Sequence, residues 1–220
     1  MTGTSVWAVV PVKPFRVAKA RLSTALNADN RARLARVMLE DVLDAMVASR
    51  HLLAGLLVVT ADDEAAPIAR SHGAIVLSEA APAGINRAIA RALDHLAGAP
   101  EAGMLVVPAD LPQVSAAAVE RIVGLLGAPR AVAIVPATDG GTNLLACKPA
   151  GIIPPSFGPL SFDRHRQAAR LAGVTPTILA WSDLGHDVDR PEDLAAFLSL
   201  GTASRTHAFL SSLAIAALTA

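Results

Sequence analysis

SVWAVVPVKPFRVAKARL, residues 5–22, opens as a short apolar strand and then sets down Lys13, Arg16, Lys19 and Arg21 with no acid among them. Outward from it, brief β-rich runs recur: LLVVT (56–60), AIVLS (74–78), MLVVP (104–108), AVAIVP (131–136), NLLAC (143–147) and TILAW (177–181). Each is bounded by turn residues, and such runs read as strands. Helical periods separate them. In residues 30–50, Leu34, Val37, Met38, Val42, Ala45 and Met46 share one face, with Asp29 as the expected N-cap. Residues 86–97, 116–126, 164–173 and 191–201 repeat the pattern, the last with Pro191 at its start and acids in its first turn. Strand–helix alternation predicts a three-layer α/β domain with a mostly parallel, mixed sheet. Runs apolar on both faces, such as LLVV and MLVV, predict buried central strands.

A chain of 220 residues is sized for one domain, expected over 1–202, followed by an apolar, helical tail at 203–220. Lys+Arg and Asp+Glu are both 19, and this zero net charge argues against a nucleic-acid partner. An aromatic content of 3% leaves few platforms for stacked bases. The single Cys147 excludes an internal disulfide and suits a reducing, cytoplasmic setting; in an apolar strand it reads as a small core residue. The N-terminus MTGTSVWAVV lacks the basic region of a secretory signal. The tail segment 208–220 is shorter than the ~20 residues that span a bilayer. No membrane contact is expected; the tail should pack on its own domain or, in a homodimer, on a partner subunit. The Pro- and Gly-rich stretch 148–163 reads as a long ordered loop, often a functional one.

Ligands of α/β sheets bind beyond the carboxyl ends of the strands, so the residues following each strand matter most. Lys13, Lys19 and Arg21 follow the first strand, and converging cations on a short loop suit phosphate oxygens. There is neither a P-loop nor a GxGxxG motif. Asp110 follows MLVVP between Pro108 and Pro112, a suitable place for a Mg²⁺ ligand, although an Asp there also serves to cap a turn. Asp187 and Asp189 in HDVDRPEDL are two apart, so an extended segment faces both carboxylates the same way. Like charges held close call for a cation between them. Glu192 and Asp193 are at hand for the capping role instead. A DxDx[TV] phosphatase would carry this motif after its first strand, whereas here it comes late. DGGTNLLA (139–146) offers Thr142 and Asn143 beside a Gly turn, and FGPLSFDRH (157–165) sets Gly158 and Ser161 before a helix, where main-chain N–H groups can hold an anion. Ser161 also suits an N-cap. His165 and His186 read as packed or surface residues rather than ligands. Together these features fit metal-dependent nucleotidyl transfer, which needs cations and carboxylates and no nucleophilic side chain.

PVKPFRVAKARL, LVVPADLP, GTNLL, FGPLSFDRH and HDVDRPEDL, in this order, resemble the 2-phospho-L-lactate guanylyltransferase family from about Val6 to Leu198. The resemblance implies the nucleotide-diphospho-sugar transferase type of fold, related to the molybdenum-cofactor guanylyltransferases. It implies condensation of GTP with phosphoenolpyruvate, 2-phospho-L-lactate or 3-phospho-D-glycerate during assembly of the deazaflavin coenzyme F-420, with release of pyrophosphate. By the same resemblance Asp110, Asp187 and Asp189 bind Mg²⁺ and, with Lys19, are catalytic. Thr142, Gly158 and Ser161 cradle the acid's carboxylate. Lys13, Lys19 and Arg21 hold phosphates, and Gly84 and Asn86 lie near the base or ribose. Two departures stand out: GTNLL where many members have GTNAL, and Arg190 where Thr is frequent. The rival readings are a nucleotidyltransferase with a pterin or sugar-phosphate acceptor, a non-catalytic nucleotide-binding regulator on the same fold, and a structural subunit assembled through its tail.

Overall fold

In the computed structural model, which describes residues 5–180 and 188–213, seven strands form one mixed sheet. They are β1 (Val6–Val12), β2 (Gly55–Thr60), β3 (Ile75–Ser78), β4 (Gly103–Val106), β5 (Ala131–Pro136), β6 (Thr142–Lys148) and β7 (Thr177–Ile178). Their spatial order is β3-β2-β1-β4-β6-β5-β7. The pairs β1–β2, β2–β3, β1–β4 and β5–β7 are parallel, and β6 runs antiparallel to both its neighbours. The strands expected from sequence are all present. The seventh is reduced to two described residues, and Trp181, at the end of the expected TILAW strand, lies outside the described residues.

The layers follow from the two-residue period of the strands. Along β1, Val6, Ala8, Val10 and Val12 enter one buried cluster, while Val9 enters the other with Trp7 packed against it. The first face is covered by α1 (Ala28–Ala48), α2 (Ala65–Ser71) and α4 (Ala116–Gly124). The second is covered by α3 (Ile85–Leu96) and α5 (Ser161–Leu171). Central strands with both faces covered are apolar throughout, and the burial of β1 and β4 bears this out. On α1 the buried stripe includes Leu39 and Leu43 besides the expected Leu34, Met38, Val42 and Met46, while Val37 and Ala45 are half-buried. Its N-cap is Asn27, whose side chain accepts the Asn30 N–H at 2.9 Å; Asp29 sits in the first turn instead. The sequence pattern does not announce α2, which is only seven residues long and buries nothing larger than Ala65 and Ala69.

A third, smaller cluster bears on function. Helices α6 (Pro191–Ser199) and α7 (Arg205–Ser212) bring Leu194, Phe197, Phe209 and Leu210 against Leu34 and Met38 of α1 and against Leu22 and Leu26, which follow the basic loop. Val188 is buried in the same cluster, which brings the segment after residue 187 alongside that loop. Main-chain N–H groups of Arg205 and Thr206 at the start of α7 both donate to Asp41 of α1, at 2.9 Å each. No helix among the described residues is long and apolar enough to cross a membrane.

Candidate functional site

The sheet changes direction of growth at β1: β2 and β3 are laid down on one side, and β4 on the other. A crevice opens beyond the carboxyl ends of strands at such a point. Here it is a cavity of about 170 Å³, walled by Pro11–Phe15 from the end of β1, by Pro108–Asp110 after β4, by Glu79 after β3, and by Gly84 and Ile85 where α3 begins. Gly84 has φ +86° and open space where a Cβ would stand, so this wall is bare main chain in a conformation that favours glycine.

Lys19, Asp110 and Asp189 meet on this wall. The loop after β1 winds through two short 3₁₀ turns, Phe15–Val17 and Ala20–Leu22, with Lys19 between them at φ +54°. The αL region is uncommon for a residue with a Cβ, and surrounding contacts must hold it there. Those contacts are evident. The Phe15 ring and Leu22 are buried on either side, and Asp62 accepts the Phe15 N–H at 2.7 Å while its other oxygen accepts from Glu64 and Ala65. Lys19, its side chain only 3% exposed, donates to Asp110 Oδ2 at 2.9 Å and to Asp189 Oδ1 at 3.3 Å. Arg21, on the outside, reaches Asp189 Oδ2 at 3.0 Å. Asp189 is held in turn by its own N–H, which donates to Asp193 Oδ2 beside that of Arg190. Asp193 thus takes the capping role and leaves Asp189 to the cations.

Burial pushes the Lys19 ammonium down, but the charges of Asp110 and Asp189 and the hydrogen bonds to them outweigh it and hold its pKa above the ordinary lysine value. For Asp110 the surrounding protein pushes upward, and Lys19 beside it, a main-chain hydrogen bond and the Lys13 charge bring it below the usual carboxylate value. Lys19 and Asp110 are therefore both charged at neutral pH. Asp110 remains 41% exposed, so one carboxylate of the cluster faces the opening.

The second group of expected residues lies between β6 and α5 and does not line the cavity. Ser161 and His165 are fully buried and Thr142 nearly so. Ser161 Oγ donates to Thr142 Oγ1 at 3.1 Å, and His165 Nδ1 stands 3.0 Å from the same oxygen. His165 Nε2 accepts the Ser156 N–H at 3.0 Å, which assigns the ring proton to Nδ1 and makes Thr142 its acceptor. Burial, with help from the neighbouring Arg164 charge, pushes the His165 pKa down to about 4, so the ring is neutral. It is a packed histidine, edge-on to the Phe157 ring at 4.9 Å. Ser161 is not the N-cap of α5; that place belongs to Leu160, at φ +55°, and the Ser161 hydroxyl turns inward to Thr142. Gly158, at φ +123°, occupies a region that favours glycine.

The structure thus joins Lys13, Lys19, Asp110, Asp189 and Gly84 around one cavity, with Arg21 just outside it. Thr142, Gly158 and Ser161 form a second group. Asn86 does not face the cavity: both ends of its amide are taken by the main chain of Phe157. Arg190 is exposed and loosely paired with Glu192 at 4.0 Å. Asp187 and His186 lie outside the described residues. Sequence reasoning missed Asp62. Its only cue is its place just after β2, where it serves a turn rather than a ligand. Cys147 is a buried core residue whose thiol burial pushes up to about 12, which makes it a poor nucleophile.

Comparison with known proteins bears on this arrangement. The family model described as "Guanylyl transferase CofC like" matches residues 6–219. The phosphoenolpyruvate guanylyltransferase of Conexibacter woesei is 38% identical over 95% of this chain and 96% of its own length. The 3-phospho-D-glycerate guanylyltransferase of Phenylobacterium zucineum is 35% identical, covering 94% of this chain and 95% of its own length. Among solved structures, a protein from Desulfovibrio desulfuricans described as a nucleotide-diphospho-sugar transferase superposes with a TM-score of 0.70 at 22% identity, covering 95% of both chains, a likeness that speaks for the fold. The cation–carboxylate cluster at the switch of the sheet and the match along nearly the whole chain lead to one conclusion: this chain belongs to the CofC-like guanylyl transferase family.

Proposed function

We propose that the chain is a cytoplasmic, Mg²⁺-dependent guanylyltransferase of coenzyme F-420 biosynthesis. It condenses GTP with phosphoenolpyruvate, 2-phospho-L-lactate or 3-phospho-D-glycerate to a guanosine diphospho-diester and releases pyrophosphate. The observation that carries this reading is the paired Lys19–Asp110–Asp189 cluster on the wall of the cavity beyond β1 and β4. A neutral or purely basic wall would suit a nucleotide-binding regulator; cations alternating with carboxylates suit the transfer of a nucleotidyl group.

In this reading Lys13 and Lys19 face the triphosphate within the cavity, and Arg21 meets it at the rim. Among the described residues two of the three Lys19 N–H donors are engaged by carboxylates, which leaves one for a phosphate oxygen. The bare main chain at Gly84 gives the nucleoside room. The acid's phosphate oxygen attacks the α-phosphorus in line, and pyrophosphate departs on the side of the cations. That oxygen is ionised at neutral pH, so no side chain has to act as a base.

The donor set fits Mg²⁺. Asp110 and Asp189 already converge on one cation, the Lys19 ammonium, and offer oxygen alone, as a hard divalent ion prefers. No group of three or more metal-binding side chains gathers among the described residues, so a third carboxylate would come from Asp187. Bound there, Mg²⁺ would neutralise phosphate charge and orient the reacting oxygens.

The test is pyrophosphate release from GTP and Mg²⁺ with each of the three acids in turn. Release that requires one acid, and that falls away with ATP or CTP, is the expected result and names the acceptor. GTP binding without release with any of them would overturn the reading in favour of another acceptor or a regulator.

A further inference from the structure

Asn86 sits in the first turn of α3, next to Gly84 and Ile85, which line the cavity. Its amide turns the other way. Oδ1 accepts the Phe157 N–H at 2.7 Å, and Nδ2 donates to the Phe157 carbonyl at 3.0 Å. A single side chain thus pairs with both polar groups of one residue, as a neighbouring strand would, across 71 positions of sequence. The segment needs this, because residues 154–157 belong to no helix or strand. The other hydrogen bonds of residues 154–157 are local, and the far end of the turn is held to β6 by Ser161 donating to Thr142. His165 accepts the Ser156 N–H, and Arg164 donates to the carbonyls of Ser156 and Pro159. Immediately after the tie comes Gly158, and then Ser161.

We propose that Asn86 is a positioning residue, which ties the acceptor turn Ser156–Ser161 to the start of α3 and so fixes its distance from the nucleotide cavity, and that it does not touch the nucleotide. This rests on the proposed function and on the role in holding the acid that the resemblance implies for Thr142, Gly158 and Ser161. In-line transfer needs the attacking oxygen within ~3–3.5 Å of phosphorus, and an error of about 1 Å can cost a hundredfold. Two subsites built on separate elements keep that spacing only if something joins them. The described residues hold such a joint in the Asn86–Phe157 pair.

The experiment compares wild type with Asn86→Ala and Asn86→Asp. Two readouts are used: the KM of each substrate, and hydrogen exchange in the peptide covering 154–160. For Asn86→Ala the acid's KM should rise at least tenfold with the KM for GTP within twofold, and the Phe157 amide should exchange at least tenfold faster. Asn86→Asp keeps the acceptor and the size but opposes a carboxylate to the Phe157 carbonyl. Its acid KM relative to wild type should be high at pH 8 and recover only as the pH falls to about 4, the ordinary carboxyl range, where a protonated carboxyl reproduces the amide's donor and acceptor. This recovery also serves if the alanine variant fails to fold. A raised KM for GTP with unchanged acid KM and unchanged exchange would overturn the proposal and return Asn86 to the nucleotide. If wild type itself shows no acid-dependent pyrophosphate release, the functional reading fails, while the exchange data still decide whether the tie exists.

Discussion

The two polar groups of this molecule are built on opposite terms. Beyond β1 and β4, Lys19, Asp110, Asp189 and Arg21 pair cation with carboxylate on the wall and rim of the cavity, and Asp110 faces the opening. Between β6 and α5, Thr142, Ser161 and His165 are buried and hydrogen-bonded to one another and, through His165, to the main chain. A charged cluster at a mouth can exchange partners with an incoming polyanion, because solvent and ligand both compete for it. A buried neutral network cannot exchange partners without leaving donors unsatisfied, so its work is to hold a shape. The first group is therefore read as chemistry and the second as the frame of a turn.

The largest effect should come from breaking the charged group. Asp110→Asn removes a charge from the open face of the cluster and should lower turnover about a thousandfold, in the upper range for loss of one preorganised electrostatic group, with far-UV circular dichroism unchanged. Near-normal turnover would mean that the cluster is structural, like its counterpart.

The neutral group should respond to pH through stability. His165 titrates at about 4 in the folded chain, against about 6.5 when unfolded. As pH falls, the unfolded chain takes up the proton first. The contribution of His165 is therefore complete above about pH 6.5 and is lost as pH falls through about 4. The loss is about 2 kcal/mol by pH 5. Urea midpoints at pH 7.5 and pH 5 should show it in wild type, and His165→Gln should show a correspondingly smaller pH dependence. An identical slope in the variant would place the titration elsewhere.

The smallest effect sharpens the boundary between them. Arg21 is 66% exposed, and exposed pairs contribute ~0–1 kcal/mol. Arg21→Gln should thus leave the melting temperature nearly unchanged while raising the KM for GTP a few-fold, more at low salt than at high salt. A stability loss with unchanged KM would assign Arg21 to the frame.

Much of this was legible in the sequence, for physical reasons. Strands apolar on both faces, separated by helical periods, leave few architectures open, and ligands of such sheets sit past the strand ends. That logic pointed to Lys13, Lys19 and Asp110, which the fold brings around one cavity. Asp189 was legible because Asp193 stood nearby to take the cap. What sequence could not carry is the direction in which a side chain turns. Asn86 and Gly84 are two residues apart, yet one ties a distant turn and the other lines the cavity. Ser161 reads as a cap and is instead an inward donor, because Leu160 takes the αL position before the helix. Asp62 carries no motif, and its role depends on Phe15, 47 positions away, arriving beside it.

The most direct test of the central claim is where GTP protects the chain. Amide hydrogen exchange should be followed in wild type with and without GTP and Mg²⁺. The account predicts slowed exchange in the segments around Val12–Lys19, Gly84–Ala88 and Ala109–Asp110, the walls of the cavity beyond β1 and β4. Protection confined to other surfaces, with these segments unchanged, would contradict it.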